Sequence, residues 1–217
     1  MRPLKVFVIF TFLLCQFSLF AQAQEKKELA AIELLAPKFS SSTTLMMALE
    51  KRKSSRAFKT DELSLQTISN LLWAANGINR PETGMRTAPS AKNAQEIDIY
   101  VAMKSGLYLF NAKTQALDPI LAQDIRPIVG IQGFVKDAPL SLIFVADLKR
   151  MDGAEDAKAL YAAVDTGYIS QNVYLFCAAE GLATVVLGWI DKEALVKAMK
   201  LASHQRIILT QPVGYPK

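Results

Sequence analysis

Arg52, Lys53 and Arg56 place three cations on little more than one turn of chain, with the Ser54 hydroxyl between them. That set can hold a phosphate by charge-assisted hydrogen bonds. It also suits a solvated helix end, where cations complement the negative end of the helix dipole, and the residues alone support this reading at least as well. Thr87 to Asn93 offers small polar groups that could face a ligand or merely cap a turn. Leu187-Gly188 reads on its own as just the end of a short strand. Other chemistries are thin. No G-x-S-x-G elbow, phosphate-binding G-x-x-x-x-G-K-[ST] loop, G-x-G-x-x-G fingerprint or C-x-x-C pair occurs. The single histidine, His204, falls near a helix end, where capping of carbonyls is its expected role. The acidic residues are scattered, so a paired-carboxylate hydrolase has no basis.

The elements that must position these groups are readable in outline. A short helix is expected around Glu28 to Ala36, ended by Pro37. Ser42 or Thr43 caps a second helix through Leu45, Met46 and Leu49 into the basic run. Ser64 caps a third, with Leu65, Ile68, Leu71, Leu72 and Ala75 on one face and Gly77 as a left-handed stop. Ile78 to Asn93 reads as a long surface loop holding Arg80, Arg86, Pro89, Ser90 and Asn93. Ile97 to Met103 and Leu107 to Phe110 flank Lys104-Ser105-Gly106 as a hairpin, Asn111 to Pro119 has turn chemistry, and Leu140 to Ala146 reads as a buried central strand. Ala154 to Glu180 is the longest helical pattern, apolar nearly all round after Tyr168, as at a layer boundary or a subunit interface. Thr184 to Leu187, a helix capped by Asp191, and Ile207 to Val213 complete an interleaved α+β pattern without repeats.

The chain has 217 residues, 51% hydrophobic and 21% charged, which describes an ordinary globular protein with a sizeable core. Arg2 and Lys5, the apolar Val6 to Leu14 and the small-x-small Ala21-Gln22-Ala23 read as an export signal cleaved after Ala23. The apolar stretch falls short of the roughly 20 residues of a spanning helix, so no stable membrane anchor is expected. Removing Arg2 and Lys5 from 25 basic residues, against 20 acidic, leaves a mature chain of about +3. So small an excess does not suggest a nucleic-acid partner. Cys15 leaves with the signal, and Cys177 alone makes no internal disulfide.

In order and spacing, these segments resemble the flavin-dependent nitroreductase family. Arg52-Lys53-Ser54-Ser55-Arg56 looks like its early R-[RH]-S-x-[RK] element, and Pro89-Ser90-Ala91-Lys92-Asn93-Ala94-Gln95 like its P-S-x-x-N-x-Q element. The helix from Asp165 to Gly181, the turn at Gly188 and the terminal Pro212-Val213-Gly214-Tyr215-Pro216 follow in sequence. The resemblance implies an α+β fold, with a mixed, mainly antiparallel central sheet flanked by helices and the long helix at a dimer interface. It implies a homodimer with FMN in two sites between the subunits. Arg52, Lys53, Ser54 and Arg56 would bind the phosphate and ribityl end. Pro89, Ser90, Ala91 and Asn93, contributed by the second subunit, would cover the pyrimidine side of the ring. Val186, Leu187 and Gly188 would lie along the ring, with a backbone N–H near N5. Hydride would come from NAD(P)H or another donor and pass to a small nitroaromatic- or quinone-like acceptor. No protein side chain is singled out as catalytic, and no metal is implied.

This gives residues 1–23 as signal peptide, 24–42 as an N-terminal arm or linker and 43–217 as the nitroreductase-like FMN-binding domain, exported to a periplasm or secreted. Export conflicts with the donor, because reduced nicotinamides are cytoplasmic. There are also departures from the family's pattern. Leu187 stands where many members place an acidic residue before the turn glycine. The chain stops at Lys217 where many end in Lys-x-Arg, so Arg86 or Lys217 is left as a substitute phosphate contact. The short ending is also similar to the azoline-oxidising dehydrogenases, but the Lys-Tyr pair typical of that branch is absent. A flavin-binding dimer without enzymatic activity is the alternative of a different class.

Overall fold

The fold, taken from a computed structural model, is described for residues 28–38 and 42–217. The expected signal at residues 1–23 lies outside them, as does part of the N-terminal arm. The described part of that arm is extended, not helical. Ile32–Glu33 forms β1, and Leu34 N–H continues the contact to Gln115 O at 2.9 Å. Leu29, Ile32 and Leu34 turn their apolar side chains to the core, a tertiary gain that overrides the local helical preference.

Helix α1, Leu45–Lys51, is capped by Thr44, whose hydroxyl accepts from Met47 N–H, one residue later than expected. Helix α2, Leu65–Asn76, starts at Ser64 as expected. Gly77 does not stop it in the left-handed region. Its φ is −74°, and it leads straight into β2, Ile78–Arg80. β2 pairs with β3, Met85–Arg86, so the expected long loop holds a small ladder of its own.

The main sheet continues with β4 (Ile97–Met103), β5 (Gly106–Asn111), β6 (Ala116–Leu121) and β7 (Leu140–Asp147). Helix α3, Glu155–Ala179, is followed by β8 (Ala183–Thr184), α4 (Lys192–Met199) and β9 (Gln205–Gly214). The strand order is β1-β6-β5-β4-β7-β9-β8, with every described pairing antiparallel. β7 is the central strand that its aliphatic run predicts, and Leu142, Ile143, Phe144 and Val145 are wholly buried. The segment with turn chemistry yields a strand after all. Pro119 is tolerated in β6 because β1 covers only Ala116 and Leu117, leaving that stretch at a sheet edge. Among the described residues no helix is long and apolar enough to cross a membrane.

Helix α3 explains its all-round apolarity by having two apolar faces. Ala162, Ile169, Val173 and Cys177 enter the core, where burial raises the Cys177 thiol well above its ordinary value. At 100° per residue, Leu160, Tyr161, Val164 and Tyr168 fall on the opposite side, and all four are exposed. α1 lies against α3 and adds exposed Leu45, Met46, Met47 and Leu49.

Candidate functional site

The basic run leaves α1 as extended chain and is fixed from below by a residue that sequence reading did not single out. Tyr174 of α3, buried, shares a hydrogen bond of 2.9 Å between its hydroxyl and Ser54 Oγ, and the same oxygen accepts Val186 N–H at 2.9 Å. Its ring lies under the Arg52 guanidinium, 5.3 Å from the ring centre, a cation–π contact. Ser55 N–H donates to Thr184 O at 2.9 Å. One phenol therefore ties the cations to the Val186-Leu187-Gly188 turn, two segments more than a hundred residues apart in sequence. Tyr174→Phe keeps the ring and loses both hydrogen bonds, leaving a partly buried amide without its acceptor. We expect a loss of about 1–3 kcal/mol in denaturant titration. An unchanged midpoint would mean that water replaces the hydroxyl.

Beside this junction is a cleft of about 610 Å³ lined by Lys51, Lys53, Ser55, Tyr174, Thr184 and Lys217, among others. Lys217 is brought there by the C-terminal segment, where Lys59 N–H donates to Tyr215 O and Phe58 bridges to Pro216. Of the two substitute cations, Lys217 therefore shares the cleft. Arg86 is committed elsewhere: its Nε donates to Gln95 Oε1 and its Nη1 to Asn76 O, both at 2.9 Å. Arg56 is exposed. Leu187 N–H donates to Thr210 O at 2.8 Å, which fixes the turn on β9. Gly188 is exposed, and a side chain there would meet nothing nearer than Leu209 at 3.7 Å.

Pro89, Ser90, Ala91 and Asn93 are not at this cleft. They form a tight turn whose 3₁₀ segment is Ala91–Asn93, in which Lys92, Asn93 and, just beyond, Gln95 have φ of 53°, 55° and 49°. Side chains other than Asn resist that region, and such strain collects at functional sites. Hydrogen bonds hold it: Gln95 N–H to Ser90 Oγ at 2.9 Å, Gln95 Nε2 to Gly84 O at 3.1 Å, and Ala91 N–H to Asp165 Oδ2 at 2.8 Å. Arg150 adds a bond to Gln95 O and pairs with Asp98 and Asp147. Burial raises the Asp98 carboxyl, against the pull of that same Arg150. Asp165 and Tyr174 are nine residues apart on α3, which is about 14 Å along the axis and half a turn around it. In one chain the turn and the basic cleft therefore sit on opposite flanks of the helix. His204 caps no helix; it stands in the turn after α4, with Nε2 3.6 Å from Asp147 Oδ1.

Residues 49–215 match the family model described as the Nitroreductase family. A crystal structure from Ralstonia eutropha JMP134, assigned as a nitroreductase, is 39% identical and covers 86% of this chain and 90% of its own, with a TM-score of 0.83. A protein of Methanocaldococcus jannaschii with the same assignment is 28% identical over 177 residues, 76% of this chain and 88% of that one. A third, from Desulfovibrio desulfuricans and solved in complex with FMN, is 22% identical with a TM-score of 0.59, over 81% and 88% of the two chains. With the match running from the end of α1 to the last residues of the described chain, this protein belongs to the nitroreductase family.

Proposed function

We propose that the chain is an FMN-dependent oxidoreductase that works as a homodimer, taking hydride from NAD(P)H or another donor and delivering it to a small nitroaromatic- or quinone-like acceptor. The observation that carries this is the junction at Tyr174, which joins a set of cations to an open glycine turn beside one cleft. The donor set fits the cofactor. Arg52, Lys53, Ser54 and Arg56 have the chemistry to hold its phosphate and ribityl hydroxyls; of these Lys53 lines the cleft itself, together with Lys51 and Lys217, and the other three flank it along the chain. Val186, Leu187 and Gly188 would lie along its ring. Two of their three amides are used internally, by Tyr174 and by Thr210, so the contact to N5 falls to Gly188 N–H. No neighbouring protein atom requires glycine at 188, whereas a flat ring resting on the backbone does.

The partner subunit completes the site. In this dimer the two α3 helices meet through the exposed face of Leu160, Val164 and Tyr168, and the turn held by Asp165 serves the neighbour's cleft beside Tyr174. The turn Pro89, Ser90, Ala91 and Asn93 then arrives over the basic cleft of its neighbour. FMN supplies the hydride chemistry. The chain's residues anchor its phosphate, fix the ring's orientation and keep water from one face.

Purified protein should be yellow, or should take up added FMN in equal numbers of cofactor and chain. Anaerobic bleaching by NADH or NADPH identifies a nicotinamide donor. Bleaching only by other reductants would fit the exported location that residues 1–23 suggest, and bleaching without turnover of any acceptor would favour a flavin-binding protein without enzymatic activity. Failure to bind FMN at all would refute the proposal.

A further inference from the structure

Glu96 stands immediately after the Pro89–Gln95 turn and just before β4. It is 0% exposed, and among the described residues no donor reaches either of its side-chain oxygens. Its backbone is fixed, since Asp147 N–H donates to Glu96 O at 2.9 Å. The group that faces it from α3 is Asp165, itself only 3% exposed, which holds Ala91 N–H. Two ionised carboxylates offer each other nothing but acceptors, so the pair closes only when one of them carries a proton. Burial first, and then the nearness of Asp165, push the Glu96 carboxyl up from 4.5 to about 7. The Glu96 backbone hydrogen bond and Arg150 pull the other way without cancelling the rise. Arg150 is itself engaged with Gln95 O, Asp98 and Asp147, and Arg86 is its cationic neighbour.

We propose that Glu96 and Asp165 form a proton-held clasp that positions the Pro89–Gln95 turn. With the proton on Glu96 and shared toward Asp165, the Asp165 carboxylate stays fixed and keeps the Ala91 amide. When the proton leaves to water, two anions face each other in one buried space, Asp165 moves off, and the strained turn loses one of its anchors. Both are positioning residues: neither touches the cofactor, and they act through the turn that would close over it. This consequence for cofactor binding rests on the reading of that turn as half of a flavin site. The sign follows from linkage. A carboxyl raised in the folded state contributes stability that is fully present below its ordinary 4.5 and is lost as pH rises through about 7.

The test is hydrogen–deuterium exchange of the whole protein without added cofactor. The turn is followed from about pH 5.5 to about pH 8.5, corrected for intrinsic exchange, with FMN affinity measured by flavin fluorescence in parallel. Protection of the turn should fall about tenfold around neutral pH, and FMN affinity should fall with it. Glu96→Gln is isosteric, cannot ionise and can still donate to Asp165, so it should hold the low-pH protection throughout. A level wild-type profile overturns the clasp, and so does a Glu96→Gln profile that still titrates like the wild type. If that variant does not fold, the wild-type profile alone decides. A turn that titrates as expected in a protein that binds FMN at no pH upholds the clasp and refutes the flavin reading.

Discussion

Val164→Glu should convert the proposed dimer to a monomer that does not retain FMN. Val164 is 40% exposed in the single chain, at the middle of the face that Leu160, Tyr161 and Tyr168 share, so the substitution meets nothing inside the fold. At a two-fold interface it is made twice, and each ionised carboxylate is placed in an apolar contact with no partner, a penalty of several kcal/mol apiece. Loss of the proposed dimer would remove the Pro89–Asn93 turn from the neighbouring cleft, and half a site should not keep the cofactor. Light scattering at micromolar concentration and flavin co-elution read the two effects together. Melting of the chain itself should change little, as for other exposed positions. A Val164→Glu dimer that stays yellow would move the interface away from α3.

Arg52→Ala combined with Arg56→Ala should cost the second largest effect. In the proposed site each arginine would supply a charge-assisted contact of about 1.5–3 kcal/mol, so the pair would account for about 3–6 kcal/mol, or roughly a hundredfold to ten-thousandfold in FMN affinity. The two arginines are not equivalent. Arg52 sits over the Tyr174 ring, which restrains it before any ligand arrives, whereas Arg56 is exposed. Arg52→Lys keeps the charge but loses the forked guanidinium and its donors, and its affinity should fall between wild type and Arg52→Ala. Unchanged retention in the double variant contradicts the assignment of the phosphate to this run.

Where local pattern and tertiary packing agree, the fold was legible in the sequence. Ser64, Asp191, the Lys104-Ser105-Gly106 hairpin and the aliphatic run of β7 all act as their residue types suggest. The two missed strands have one cause, which is long-range pairing. Residues 28–36 look helical in isolation and are extended because a sheet edge at Ala116 and Leu117 is there to receive them. The strand at 116–121 was hidden by Pro119, which only an edge position tolerates. The site follows the same rule. The cations and the glycine turn were recognisable as types, but Tyr174 was not, because a tyrosine on an apolar helix has no signature until Ser54 and Val186 fold onto its hydroxyl. Asp165 and Glu96 were likewise invisible, since nothing in their spacing, sixty-nine positions apart, brings two acids into one buried space.

β1 is two residues long, yet it determines how the outer margin of the sheet meets other molecules. Without it, β6 would present unpaired backbone along Ala116 and Leu117, a template for strands of other chains. The arm occupies that template from within. Beyond its reach Pro119 has no N–H to offer, so it acts as a gatekeeper against further strand addition. Solubility at this margin therefore depends on a segment outside residues 49–215, the part of the chain that carries the family resemblance.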